Sequence, residues 1–304
     1  MNLAVALSRL LIFPGLFFAV PFAWFLLWTE RKAVARMQER IGPPFMQPAF
    51  DFMKLMGKDV PHRSGPGGFL MKALPVIAMA SAAGAVGLLP VLPGGGGFAG
   101  DLILLISLLE VPSMCLIAAG FSSHSIFGEI GSSREAILSI SYNLVFLLSI
   151  VVIALTQHSF RMEALTQSPR GAVYWAGVVA LIVCLPAKLH LNPFSLPNAE
   201  QEIYAGPTTE YAGHELAMWQ LAHGLEWVAA TGLIAALVLP HLALAWLSAL
   251  LFFVIAFCVV LLLSVIASWT ARLGMDASVR FYWRFALALA VVVTATELWT
   301  RMHS

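Results

Sequence analysis

Charge is scarce in this chain. Acidic and basic side chains make up 11% of its 304 residues, against 60% hydrophobic residues and a mean hydropathy of +0.86. So little charge cannot cover a soluble fold of this size, and the composition points to a polytopic membrane protein. A formal net charge of +1 supplies no basic field, which removes nucleic acid as a partner. Cysteine is also sparse: Cys115, Cys184 and Cys258 each stand alone in an apolar run. With no CxxC or Cys/His spacing, no iron–sulfur cluster, zinc site or disulfide framework is expected. A nucleophile–base signature and a phosphate-binding glycine loop are missing too. The chain is therefore expected to carry no cofactor, and any redox chemistry falls to a partner. The apolar run after Arg9 lacks an AxA-like cleavage site and leads into the charged ERKAVAR, so it reads as a retained helix.

What is present is apolar length. A spanning helix needs roughly 20 mostly apolar residues. Eight stretches qualify, near 10–28, 73–92, 101–120, 136–156, 171–189, 218–239, 245–267 and 281–299. The expected fold is all-α, a single membrane domain over 1–304 with an even number of spans. Lysine and arginine set its orientation. The connections after the first, third, fifth and seventh spans, with their flanks, hold Arg31, Lys32, Arg36, Arg40, Lys54, Lys58, Arg63, Lys72, Arg134, Lys188, Arg272, Arg280 and Arg284. The other side holds Arg9, Arg161, Arg170 and Arg301. Thirteen against four places the first set in the cytoplasm and both termini outside the inner membrane.

The longest cytoplasmic connection, 29–72, has internal pattern. In FMQPAFDFMKLMGKD, Gln47, Asp51, Lys54 and Lys58 recur at helical spacing, with Phe45, Ala49, Phe52, Met53, Leu55 and Met56 over the remaining face. Two readings fit: a helix lying in the membrane interface with one wet side, or a wall of a polar cavity lined by Asp51 and Lys54. Upstream, Lys32 reads as ordinary snorkelling, whereas Arg40 before Gly42 and Pro43 couples a guanidinium to a fixed turn.

Ionisable residues inside the spans carry the functional signal. Glu110 interrupts the third span beside Pro112, where a carboxylate costs about 2.5–3.5 kcal/mol on insertion scales. Lys188 closes the fifth span just before an acidic loop and is an electrostatic partner for it. Glu226 and His223 lie one turn apart on the sixth span, either as a proton relay or as a satisfied pair. Glu297 reads as interfacial. The loop 121–135 adds His124, Glu129, Arg134 and Glu135, and the remaining histidines show no ligand spacing. Between the fifth and sixth spans runs PFSLPNAEQEIYAGPTTEYAG, 193–213, with Glu200, Glu202 and Glu210, and Glu215 just beyond. Four of the 16 acidic residues thus fall within 200–215, and crowded or desolvated carboxylates exchange protons near neutral pH. Chains of Asp, Glu and His inside membranes mark proton pathways. The residues alone therefore describe a proton-handling membrane subunit.

Two blocks give a resemblance. ERKAVARMQERIGPPFMQPAFDFMKL followed by GKD, together with PFSLPNAEQEIYAGPTTEYAG, resembles the membrane heel subunit of respiratory complex I. The same family includes the matching subunit of energy-converting nickel–iron hydrogenases and formate hydrogenlyases. The contracted IGPPFMQP, GSSREAIL and ARLGMDASVRFYW look more like the hydrogenase branch; a quinone-chamber subunit of an NADH-quinone oxidoreductase is second. The resemblance implies a hydrogenase-like large subunit with a nickel–iron centre, an iron–sulfur small subunit and antiporter-like membrane subunits as partners. It implies proton or sodium translocation, with quinone only in the second branch. It marks Arg36, Arg40, Asp51, Lys54, Glu200, Glu202, Glu210 and Tyr211 as motif positions at a cavity, a relay or a subunit interface. Three positions depart from the pattern: Asn143, Ser195 and Asn198 stand where relatives commonly carry an acid. Either Glu110, Glu135 or a neighbouring subunit then substitutes, or coupling through this subunit is altered. A non-pumping anchor for a soluble redox partner and a stand-alone secondary transporter are the remaining readings, though no inverted repeat is evident.

Overall fold

The computed structural model describes residues 15–60, 65–91, 99–167, 170–198, 200–239 and 244–303. Among them all regular structure is helical, as the apolar runs require of a backbone that must satisfy its own hydrogen bonds in lipid. The long helices are α1 (Leu16–Met37), α3 (Gly65–Gly87), α4 (Asp101–Ser122), α5 (Ile126–Gln157), α7 (Ala172–Lys188), α9 (Gly213–Val238), α10 (Ala245–Trp269) and α11 (Met275–His303). Three short ones lie between them: α2 (Gln47–Met56), α6 (Met162–Gln167) and α8 (Glu200–Ile203). Each of the eight expected spans overlaps a long helix; the start of the first, with Arg9, lies outside the described residues, as does Arg63. Among the described residues, five stretches are long and apolar enough to cross a membrane: Gly67–Gly87, Asp101–Ser122, Ile126–Gln157, Gly213–Val238 and Ala245–Trp269. Ala172–Lys188 is also apolar but shorter.

Helix α9 is the centre of the bundle, packed against α1, α2, α3, α4, α7 and α10. Its apolar surface is not confined to one stripe, and Leu225, Trp227, Ala229, Ala230, Ile234, Ala235 and Ala236 are all buried. An all-round apolar helix belongs inside, and its alanines let neighbouring backbones come close. Beside it, α4 packs on α3 and α5, and α5 packs on α7 and α11.

The connections sort to two ends, as a chain running up and down must place them. At one end Leu273 donates its N–H to the Pro193 carbonyl at 2.8 Å, and Arg134 and Arg272 both reach Glu202. At the other, Arg170 donates to the Val238 carbonyl at 2.7 Å and to that of Leu239. The Tyr174 hydroxyl donates to the Leu237 carbonyl at 2.8 Å, so the open C-terminus of α9 is capped from outside its own chain segment. Asp101 closes the same end, accepting from the N–H groups of Leu102 and Met162 at 2.7 and 2.8 Å.

The amphipathic helix expected in the first long connection is α2. Gln47 donates to Asp51 at 2.8 Å across one turn, Pro48 and Ala49 are buried, and Phe50, Met53 and Met56 are exposed. The preceding turn is not tied by Arg40, which is exposed. Lys32 holds it instead, its ammonium donating to the Ile41 carbonyl at 2.7 Å, with Trp28 donating to the Pro43 carbonyl at 3.2 Å. The flexible Lys32 stem reaches the carbonyl from one turn of α1, so the residue expected merely to snorkel is the one that fixes the loop.

Candidate functional site

Four helices and one loop bring ionisable side chains to a common buried region. Glu110 comes from α4, Glu135 from α5, Lys188 from the last turn of α7, and His223 and Glu226 from α9. His190 comes from the turn that follows α7. Glu110 and Lys188 each lie within two residues of a helix-interior proline, Pro112 and Pro186. A proline removes one backbone hydrogen bond and loosens the local ladder, which suits a polar group inside an apolar bundle.

Lys188 is fully buried. Its ammonium lies 2.8 Å from Glu110 Oε1 and 3.6 Å from Glu226 Oε1, with the rings of Tyr142 and Phe146 at 5.7 and 6.0 Å. The partner expected from the sequence was the acidic loop; the structure corrects this to two helix carboxylates. The reason is reach, because the lysine points back along α7 into the bundle rather than out at its end. Glu226 continues to His223 Nδ1 at 3.7 Å, and the His223 ring lies nearly parallel to that of His190, 5.8 Å between centroids. His190 Nε2 in turn is 3.0 Å from Glu135 Oε2, and both residues are buried. Glu110, Lys188, Glu226, His223, His190 and Glu135 thus form one continuous line. Glu110 Oε2, Glu135 Oε1 and Glu226 Oε1 have no hydrogen-bond partner, so the line is under-satisfied.

Two effects compete at His190. Burial disfavours its charged form, but the charge and hydrogen bond of Glu135, with Glu226 adding, outweigh it and hold the imidazole above its ordinary value despite nearby Lys188. Sequence reading missed this histidine. No spacing to another titratable residue marks it, since its partner lies 55 positions away.

A cavity of about 290 Å³ opens beside the line. His190, His223, Glu226, Gln220, Asn198, Ser113 and Thr208 line it together with Pro112, Leu116, Leu216, Trp219 and Ala222, and most of its surface is apolar. The buried Trp219 Nε1 has no hydrogen-bond partner. A second cavity of about 70 Å³ holds Asp51, Arg31, Pro48, Trp24 and Phe52, and shares Gln220 and His223 with the first. Asp51 therefore lines a cavity, 3.5 Å from Arg31, whereas Lys54 is exposed and does not. The α2 helix turns Asp51 inward and Lys54 outward.

The 193–213 loop sits at the rim. Glu202 is exposed and clamped between Arg134 of α5 at 2.6 Å and Arg272 of the connection after α10. The hydrogen bond from Arg134 is the leading effect on its carboxyl. With the charges of both arginines it outweighs desolvation and holds the group below the usual range. Glu210 is exposed, and Tyr211 is buried against Trp219 at 5.8 Å between ring centroids. Glu200 opens α8, and its side chain lies outside the described residues. Arg36 sits in the last turn of α1. Glu297 likewise has its side chain outside the described residues. Two glycines explain the loop's AG and YAG motifs. Gly206 has φ +54° with the Pro197 carbonyl where a Cβ would stand, and Gly213 has φ +56° against the Lys58 carbonyl of the first long connection. No group of three or more His, Cys, Asp or Glu able to hold a metal occurs among the described residues.

The model of one family, NADH dehydrogenase, matches residues 10–297. The chain belongs to this family. As a member it is 30% identical to NADH-quinone oxidoreductase subunit 8 of Thermus thermophilus, over 95% of this chain and 84% of that one. It is 28% identical to an NADH-quinone oxidoreductase subunit of Brevibacillus brevis, over 89% of this chain and 86% of that one. A chain of the membrane-bound sulfane sulfur reductase, an archaeal respiratory membrane complex, superposes with a TM-score of 0.85 at 25% identity, covering 95% of this chain and 98% of that one. The resemblance read from the two sequence blocks is thereby shown at the level of the family. These relatives are subunits of multi-subunit oxidoreductases, and they do not separate the hydrogenase branch from the quinone branch.

Proposed function

We propose that this chain is the membrane-embedded coupling subunit of a complex I-like oxidoreductase, linking electron transfer in peripheral partners to translocation of protons or sodium ions. The observation that carries the reading is the buried line from Glu110 to Glu135, with unsatisfied oxygens on its three carboxylates and a cavity lined by its His190, His223 and Glu226. Carboxylates of that kind are expensive in an apolar bundle, and proton transfer is the use that repays them. Eight spans, both termini outside and the 193–213 loop in the cytoplasm complete the proposal.

An energy-converting hydrogenase type is supported by the contracted IGPPFMQP and by GSSREAIL. Its partners would be a nickel–iron large subunit, an iron–sulfur small subunit and antiporter-like membrane subunits. A quinone-reducing type is favoured by the names of the relatives and by the cavity. There Trp219, His190 and His223, which line the cavity, would hold a quinone against the apolar wall; the quinone itself would supply acceptance of two electrons and two protons. Purifying the complex through a tag on this chain separates the types: nickel with the large subunit supports the first, and nickel-free quinone reduction supports the second. In reconstituted vesicles Glu226→Gln is expected to abolish ion translocation while the complex still assembles. Translocation at the wild-type level would leave only the non-pumping anchor.

A further inference from the structure

The buried line holds more acids than fixed cations. Glu110, Glu135 and Glu226 contribute three carboxylates, and Lys188, within 3.6 Å of two of them, contributes one ammonium. Unmatched buried carboxylates are strongly disfavoured, so the region binds further protons, and its other bases are His190 and His223. His190 faces Glu135 from α5, Glu226 and His223 from α9, and Lys188 from α7. His223 faces Glu226 and Trp227 on its own helix, His190 across the ring stack, and Arg31 and Asp51 across the small cavity.

The hydrogen bonds assign the nitrogens. Trp227 Nε1 donates to His223 Nε2 at 3.1 Å, so that nitrogen carries a lone pair. The ring proton is then on Nδ1, the atom facing Glu226. His190 Nε2 donates to Glu135, and its ring lies within 9° of parallel to His223. Both rings line the 290 Å³ cavity, which is roomy enough for water bridging its polar side chains, and His223 also lines the 70 Å³ one.

We propose that His190 and His223 form a two-imidazole proton exchanger joining Glu135 to Glu226, with His223 also admitting protons from the Asp51 cavity. The proposal rests on the proton-coupling reading above. In one transfer, His190 imidazolium gives up a proton through cavity water and becomes neutral. His223 takes it at Nε2 in place of the Trp227 N–H and releases its Nδ1 proton to Glu226, which becomes the neutral acid. Asn198, on the same cavity, cannot titrate, which leaves the step to the imidazoles.

The test uses the intact complex in vesicles with a luminal pH dye, driven by dithionite-reduced viologen. His190→Gln and His223→Gln are each expected to slow translocation per assembled complex about tenfold or more, and added imidazole is expected to restore His223→Ala. Wild-type rates in both glutamine variants, or a loss that imidazole does not restore, overturn the exchanger. Glu226→Gln in parallel scores the underlying reading separately: its loss with intact histidine variants removes the exchanger and keeps the relay. If a histidine variant does not assemble, C2-proton exchange of His190 in the otherwise wild-type complex decides. Its titration midpoint is expected to fall in Glu135→Gln. An unmoved midpoint overturns the assignment.

Discussion

Lys188 shows what a single buried charge does to its surroundings. Its ammonium is fully buried and holds Glu110 at 2.8 Å and Glu226 at 3.6 Å. Removing one partner of such a group leaves the others charged and dry, which costs about 3–5 kcal/mol, whereas removing both ends of a pair costs far less. Lys188→Met is therefore expected to destabilise the protein strongly, and adding Glu110→Gln to recover part of the loss. Thermal denaturation in detergent checks this, and a double variant no more stable than Lys188→Met would mean that Glu110 is not the partner that matters. At this scale the sequence was legible only where cost marks function. Glu110 and Glu226 stand out because a carboxylate within a span demands a reason. His190 does not, because a histidine in a loop is unremarkable until Glu135 is folded against it. The partner of Lys188 was misread for a related reason: position in the chain places a side chain at a helix end but does not say which way it turns.

At the scale of elements, the helices follow from apolar runs of spanning length, and α2 follows from the spacing of Gln47, Asp51 and Lys54. The seating of the 193–213 loop does not follow, since it depends on pieces far apart in the chain. Gly213 rests on the Lys58 carbonyl, where an added Cβ would lie at 2.5 Å, and it has φ +56°. Gly213→Ala is expected to unseat the loop from the first long connection at a cost of about 1–3 kcal/mol from the backbone alone. Faster protease cleavage within 193–213 in the assembled protein would report it. The Glu202 clamp adds a pH dependence. Its carboxyl lies below the ordinary glutamate range in the folded protein, so the clamp is fully present above the ordinary value of about 4.3. It is lost only as pH falls through the depressed value. Protease sensitivity of the loop is thus expected to stay flat from pH 8 to about pH 5 and to rise in more acid solution, with Glu202→Gln sensitive throughout. A wild-type loop already loosened at about pH 6 would show that the two arginines do not hold it.

At the scale of the whole molecule, the connections alternate between two ends, and the proposed topology assigns each end a side. Arg134, Glu202, Arg272 and Pro193 meet at one end of the bundle, and Asp101, Arg170 and the C-terminus of α9 meet at the other. The first end is also the one rich in lysine and arginine, and the proposed topology turns it to the cytoplasm by the positive-inside rule. With the eight crossings proposed above, the end of α11 would return to the outer face. A phosphatase fused after Ser304 is accordingly expected to be active, and a fluorescent protein at the same place dark. In intact cells a cysteine replacing Arg170, in a chain with the three native cysteines removed, is expected to react with a membrane-impermeant maleimide, and one replacing Lys58 is not. The Lys58 site labelling from outside, or the phosphatase staying silent, would invert the molecule. It would then place the clamped loop, the two cavities and the buried proton line on the face away from a cytoplasmic electron-transfer partner, and the coupling reading would fall with the topology.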